Sequence, residues 1–346
     1  MKTAILQVAD TGPLESLVVM LEHAGYECYI PDANTRRMLK TKGLESVCDI
    51  DVLVRSGSYE EPKPIPCATI QMMQTTDLYV DVKAHKNGPK LWRSIPHLED
   101  KTLFYCINGA NPFDTPTSGA KKGEDRTNLP CPVLSPNLWY RTEGVWSDRA
   151  YSMWPKFMRF DDYLPENPRS EAYSDPICLV HNLRGWGYHI MKEGMQSLNV
   201  QLHGWGSPAG PLHHSKLPDV LSKTIAMVHL KSSDAPGYAL YEALAAGCPI
   251  IASQRLIERC LMQELFIDGE TCLVFDTVDD LDKILLNHTQ LEIDRSIRQT
   301  AEHLERLRDP VENARIGTNG RNKLKELMWN VERDGEGFKQ FMRRMF

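Results

Sequence analysis

Several features that would commit this chain of 346 residues to a particular chemistry are missing from it. It has no run of about 18 apolar residues, so no segment is expected to span a bilayer. No C-x-x-C pair and no histidine cluster at metal-ligand spacing occur, so the nine cysteines form no zinc or dithiol motif. Several of them (Cys106, Cys178, Cys248) stand in apolar runs, which predicts reduced, buried thiols and a cytoplasmic setting, a host's cytoplasm if the chain is phage-encoded. The apolar start is broken at Asp10, short of a secretory signal. Excess positive charge is lacking too. A net charge of −6 gives no overall attraction to nucleic acid or anionic lipid, and only a local patch could supply one. There is no G-x-G-x-x-G, hence no dinucleotide fingerprint.

What remains is an ordinary globular composition, 42% hydrophobic and 25% charged, in a chain long enough for two domains. Thr3 to Val8 reads as a buried strand, Asp10 to Pro13 as a turn, and Leu14, Leu17, Val18 and Leu21 recur at helical spacing. Gly25 closes that helix before a strand at Glu27 to Ile30. Asp51 to Val54, Ala68 to Met73 and Thr102 to Asn108 are further strand candidates. Alternating strands and helices predict doubly wound α/β architecture. Aromatics gather at Trp139, Tyr140, Trp146, Tyr151 and Trp154, and packing is their commoner fate. A proline-rich stretch then reads as a linker, and the pattern restarts at Ile177 to Leu183. The expected division is 1–160, a linker at 161–176, 177–330, and a C-terminal helix at 331–346.

The most informative stretch is Ser232 to Ser253, S-S-D-A-P-G-Y-A-L-Y-E-A-L-A-A-G-C-P-I-I-A-S. Pro236 presets a first helical turn, and Tyr238 to Ala246 is rich in strong helix formers. Gly247 reads as the cap that ends the helix, and Pro249 forbids its continuation. Cys248 to Ala252 then runs apolar, like a buried parallel strand. Free N–H groups at Gly237, Tyr238 and Ala239 and the positive end of the helix dipole favour a phosphate. Asp234 and Glu242, eight positions apart, could grip the hydroxyls of a sugar at one end and a ribose at the other. An ordinary helix start with a solvated Glu is the alternative.

This Asp-x7-Glu spacing and its E-A-L-A-A-G-C-P-I-I-A-S continuation resemble the E-x7-E region of retaining, group 1 type glycosyltransferases of the GT-B fold. Asp234 stands where the family has its first Glu. Further likenesses are the Gly-rich turn Gly204 to Gly210, the turn and strand from Ile267 to Phe275, and a tail from Gly320 to Arg333 like the family's final helix. The resemblance implies an α/β protein with two Rossmann-like domains facing each other across a cleft. It also implies transfer of a sugar from a nucleotide-sugar co-substrate, UDP-linked, to an acceptor hydroxyl, with retention and without a metal. Asp234 would meet the donor sugar, Gly237, Tyr238 and Ala239 the diphosphate, and Glu242 the nucleotide ribose. Arg184, at a strand end, would neutralise the departing diphosphate, and Gly12 in the first turn would lie beside it. Asp49-Ile-Asp51 spells the metal motif of a different glycosyltransferase fold but leads into a core strand, so no metal is expected.

For the acceptor, the sequence offers Lys83, Lys86, Lys90 and Arg93 with Trp92, a segment without acids that could track phosphates and stack a base. Duplex DNA carrying hydroxymethylpyrimidines, the acceptor of certain phage glycosyltransferases, is the reading this favours. A soluble saccharide or small molecule needs no special feature and competes with it. No basic amphipathic helix marks a membrane acceptor. An epimerase or hydrolase on the same fold, and a non-catalytic sugar-nucleotide-binding module, are the readings from other classes.

Overall fold

The computed structural model describes residues 2–7, 12–30, 78–81, 102–105, 132–135, 150–152, 173–182, 194–205, 207, 209–229, 238–259, 263–276 and 290–346. These fall into two compact units. One comprises Met1–Phe157 with Trp329–Phe346, the other Met158–Met328.

The first unit is built on a parallel sheet of β1 (Lys2–Gln7), β2 (Tyr26–Tyr29), β3 (Leu78–Asp81), β4 (Thr102–Tyr105), β5 (Val133–Ser135) and β6 (Ala150–Ser152). Their order is β2-β1-β3-β4-β5-β6. The central strand β1 pairs with β2 from Lys2↔Tyr26 to Ile5↔Tyr29, and with β3 from Ala4↔Leu78 to Gln7↔Asp81. Between β1 and β2 runs α1 (Gly12–His23), whose Leu17, Met20 and Leu21 are buried at i, i+3 and i+4 spacing. Gly25, at φ +92°, turns the chain into β2 in a conformation that L side chains resist. Alternate strand residues Ala4, Leu6, Leu78, Val80, Leu103 and Leu134 share one core with α1. The strands at Leu78, Val133 and Ala150 are too short to stand out as periodic segments. The strand candidates at 51–54 and 68–73, and most of the linker at 161–176, lie outside the described residues.

The second unit repeats the winding. Its strands are β7 (Ile177–Asn182), β8 (Gln201–Trp205), β9 (Met227–His229), β10 (Ile250–Ser253) and β11 (Leu273–Phe275). All pair in parallel, in the order β11-β10-β9-β7-β8. The helices are α2 (Leu217–Lys223), α3 (Tyr238–Ala245), α4 (Gln254–Arg259), α5 (Gln290–Arg306) and α6 (Pro310–Leu327). α6 starts with Asp309 as its cap, accepting from Val311 N, and with Pro310 at its first position, where a missing N–H costs nothing. Asn313 of α6, fully buried, donates through Nδ2 to the carbonyls of Ile225 (2.9 Å) and Leu307 (3.0 Å) and so ties the helix to the sheet.

The tail from Gly320 to Arg333, likened to the family's final helix, runs across two helices, the second lying within the span 331–346 expected as a C-terminal helix. α6 ends at Leu327, and α7 (Val331–Met345) begins after an extended Met328. Asn330 supplies the physical reason: its side chain accepts from Arg333 N at 2.7 Å while its own N–H donates to Asp334 Oδ2 at 3.0 Å. Trp329 is buried in the core of the first unit with Phe338, Phe341 and Met342 of α7, so the chain leaves the second unit here.

Candidate functional site

In an open parallel sheet, ligands gather beyond the carboxyl ends of the strands, where the winding changes direction. In the second unit that point lies between β7 and β9, since β8 is on one side of β7 and β9 on the other. The carboxyl ends there are Asn182 and His229. Arg184 follows Asn182 by two positions, and Asp234 and Gly237 follow His229 by five and eight. All three lie outside the described residues, as do Asp10, Asp49, Asp51, Lys83, Lys86, Lys90, Trp92 and Arg93.

The part of the central stretch that is described has the expected elements. α3 opens at Tyr238 and Ala239, so their N–H groups are among the first four that no helical carbonyl can accept. Glu242 is the helix's fifth residue and is 4% exposed, a deep placement for a carboxylate. The helix is buried nearly all round, from Leu240 to Ala246, between the sheet on one side and α6 on the other. Its small residues (Ala243, Ala245, Ala246) allow that double contact.

The end of α3 is a Schellman motif. The Gly247 N–H donates to the Leu244 carbonyl at 2.9 Å and the Cys248 N–H to Ala243 at 2.8 Å. Gly247 takes φ +67°, and Pro249 passes the chain to β10. The strand Ile250–Ser253 is buried throughout, and Ser253 Oγ accepts from Leu256 N at 3.2 Å to cap α4.

Two neighbouring turns are also fixed. At the end of β8 the Gly204 N–H donates to the Gly210 carbonyl (3.0 Å), and Ser207 Oγ donates to Gly204 O (2.9 Å) across the closed loop. In the turn before β11, the buried Thr271 hydroxyl donates to Leu265 O at 2.7 Å and accepts from Ile267 N at 2.8 Å. Arg315 reaches the same turn, donating to Gly269 O at 2.8 Å, while its guanidinium makes a two-pronged contact with Glu312. Hydrogen bonds from Arg315 first, then Arg306, hold the Glu312 carboxyl down at about 2.

Two polar residues at this edge escaped the reading of the sequence. His229 ends β9, opposite Ala252 of β10, and is almost fully buried, as is Ser253 at the end of β10. The only signal was a polar residue at the end of an otherwise apolar M-V-H-L run. Gly12, the remaining candidate, is the first residue of α1 in the other unit.

The free cysteines among the described residues are packing groups. Cys178, Cys248 and Cys272 are buried, and burial, with Glu22 close by, pushes the Cys28 thiol up to about 11. Among the described residues no group of three His, Cys, Asp or Glu side chains is placed to hold a metal ion, and no helix is long and apolar enough to cross a membrane. A cavity of about 240 Å³ lies at the opposite, amino edge of the sheet, lined by Asp175, Asn199, Ile225 and Leu304 among others.

Residues 184–327 match the model of a family described as glycosyl transferase-like, a span that contains α3 and the strands on either side of it. No curated protein matches the chain in sequence. Among solved structures, sucrose-phosphate synthase from Thermosynechococcus elongatus is 16% identical with a TM-score of 0.61, over 100% of this chain and 99% of that one. The Anabaena HepE protein in complex with UDP-glucose is 11% identical with a TM-score of 0.60, over 99% of this chain and 100% of that one. A glycosyltransferase from Rickettsia africae is 10% identical with a TM-score of 0.59, over 99% of both chains. The fold of this chain is theirs: α/β, with parallel sheets, of the GT-B class.

Proposed function

We propose that this protein is a glycosyltransferase that takes a sugar from a UDP-linked donor held on its second unit and passes it to an acceptor hydroxyl. What supports the reading is α3, a buried helix that follows β9 and so begins on the carboxyl side of the sheet, inside the segment that matches the glycosyl transferase-like model. The HepE protein, which shares the fold, was solved with UDP-glucose and with UDP.

Breaking the donor's anomeric bond leaves negative charge on the departing diphosphate. Preorganised dipoles aimed at that charge lower the barrier most. In this reading the amides of Gly237, Tyr238 and Ala239 and the Arg184 guanidinium do that work, so no metal is required. Glu242 accepts from the nucleotide ribose and Asp234 from the donor sugar. Retention of configuration and the role of Gly12 come from the family resemblance. The acceptor is read as duplex DNA if the Lys83 to Arg93 segment holds a phosphate backbone, or as a soluble saccharide if it does not.

The deciding experiment is a thermal-shift screen of nucleotide sugars, followed by transfer assays with and without EDTA. A UDP-sugar at about 100 times its dissociation constant should stabilise the protein by roughly 2.7 kcal/mol. No shift with any nucleotide sugar would remove the donor site, and binding without turnover would leave a non-catalytic module. Turnover lost to EDTA and restored by Mn²⁺ would return Asp49 and Asp51 as ligands. With DNA as acceptor, log affinity should fall linearly with log salt, and neutralising Lys86 and Lys90 should flatten that slope by about two contacts. A saccharide acceptor predicts no such slope.

A further inference from the structure

α6 carries Gly317 and Gly320 one helical turn apart, on the side that packs against α3. A glycine inside a helix costs roughly 0.5–1 kcal/mol relative to alanine, so the pair is a local disadvantage that needs a local reason. At Gly320 the reason is space. A Cβ there would stand 2.7 Å from Leu244 Cδ2 and 2.9 Å from the Thr271 carbonyl oxygen. The carbonyl is backbone, in a turn that the Thr271 hydroxyl anchors to Leu265 and Ile267, so it yields less readily than a side chain would. At the other contact, a Cβ on Gly247 would meet the Gly317 carbonyl oxygen at 3.8 Å. The tight contact of α6 with α3 is therefore at Gly320, against the Leu244 side chain, while the closing turn at Gly247 lies at ordinary distance from Gly317.

Leu244 lies two residues beyond Glu242 and six beyond Tyr238, about 9 Å along the axis at 1.5 Å per residue. A helix of this length moves as a rigid rod. Widening a 2.7 Å contact to ordinary van der Waals distance takes about 1 Å, shared between a turn of the buried Leu244 side chain and a shift of α3, and whatever share falls to the rod carries its first amides with it.

We propose that Gly320 is a positioning residue for the donor. It sets how closely α6 backs α3, and through Leu244 it fixes where the α3 amides and Glu242 stand against the diphosphate and ribose. The proposal rests on the donor reading of α3 given above.

The test compares full-length chains by calorimetric titration with UDP, well below the melting temperature of each. Gly320→Ala should weaken UDP binding by about tenfold, roughly the loss of one charge-assisted hydrogen bond. Gly335→Ala is the matched control. Its Cβ would collide with the His23 ring in the other unit, so it should lower the melting temperature yet leave UDP affinity within about twofold. Gly320→Ala combined with Leu244→Ala removes one of the two clashing partners and should recover part of the lost affinity. Leu244→Phe presses on the same contact from the α3 side, so a Gly320→Ala chain that fails to fold still leaves the test in hand. Wild-type affinity in Gly320→Ala and Leu244→Phe, or an equal loss in Gly335→Ala, overturns the proposal alone. A wild-type chain that binds neither UDP nor any UDP-sugar overturns the donor reading and this proposal with it.

Discussion

The two units wind their sheets in the same order but close their cores by opposite means. In the first, the last helix and the residues just before it bring large side chains: Trp329, Phe338 and Phe341 pack around Tyr151, with ring centroids 5.3 to 6.3 Å apart. Trp329 Nε1 donates to Tyr151 Oη at 3.3 Å, so the one polar group of the buried indole is satisfied. In the second, α6 brings Gly320 against the Leu244 side chain of α3 and the Thr271 carbonyl, with no room for a side chain of its own there. Aromatic closure tolerates some shift of the helix, because each ring makes many weak contacts. Glycine closure tolerates less, because an added methyl at Gly320 would run into the Thr271 backbone. The unit proposed to hold the donor is thus the one whose helix spacing is most narrowly set.

That contrast predicts opposite mutational signatures. The largest effect should come from truncation in the first unit. Trp329→Ala should cost about 3–5 kcal/mol, as for other buried aromatics, with loss of hydrogen-exchange protection in β1, β3 and β4. Protection in β9 and β10 that falls equally would mean the two units do not stand apart energetically. Next comes the site itself. Glu242→Ala should weaken UDP binding by about 1.5–3 kcal/mol, the range for a lost charge-assisted hydrogen bond. Calorimetry showing unchanged affinity in a folded variant would sink the assignment of α3. Enlargement in the second unit follows: Gly247→Ala forces an L residue to φ +67° and should cost about 1–2 kcal/mol in denaturant unfolding. The smallest effect concerns Glu312. Its carboxyl is held at about 2, below the ordinary value near 4.3, so its contribution is complete above pH 4.3 and fades as pH falls toward 2. Glu312→Gln should lower stability modestly at pH 7, where the carboxylate's contribution is complete, and shrink the further loss between those pH values, so that the variant and wild type converge in acid. An acid-unfolding curve identical to wild type would show that the Arg306 and Arg315 contacts carry no linkage.

Much of this was legible along the chain because it depends on short-range chemistry. The helix of α3, its Gly247 cap, the Pro249 stop and the apolar run of β10 are all decided within about fifteen residues, by propensity and by which residue accepts a positive φ. The strand–helix–strand beginning at Thr3 was readable for the same reason. Short strands were not: Leu78–Asp81 and Ala150–Ser152 have too few residues for a period to show, and become strands because a neighbour offers a hydrogen-bonding edge. The buried His229 was overlooked because burial is a property of what packs around a residue.

By itself, then, the sequence determined the first strand of the second unit, the helix of α3 with its closing turn, and the strand β10 that follows, since each is settled by local backbone preference. Only the tertiary structure decided two further things: that α7 returns to complete the first core, and that Gly320 is pressed between Leu244 and Thr271. Each of these joins residues far apart in the chain. Contact between distant segments is settled by how whole surfaces fit, and no window of sequence contains both sides of the fit.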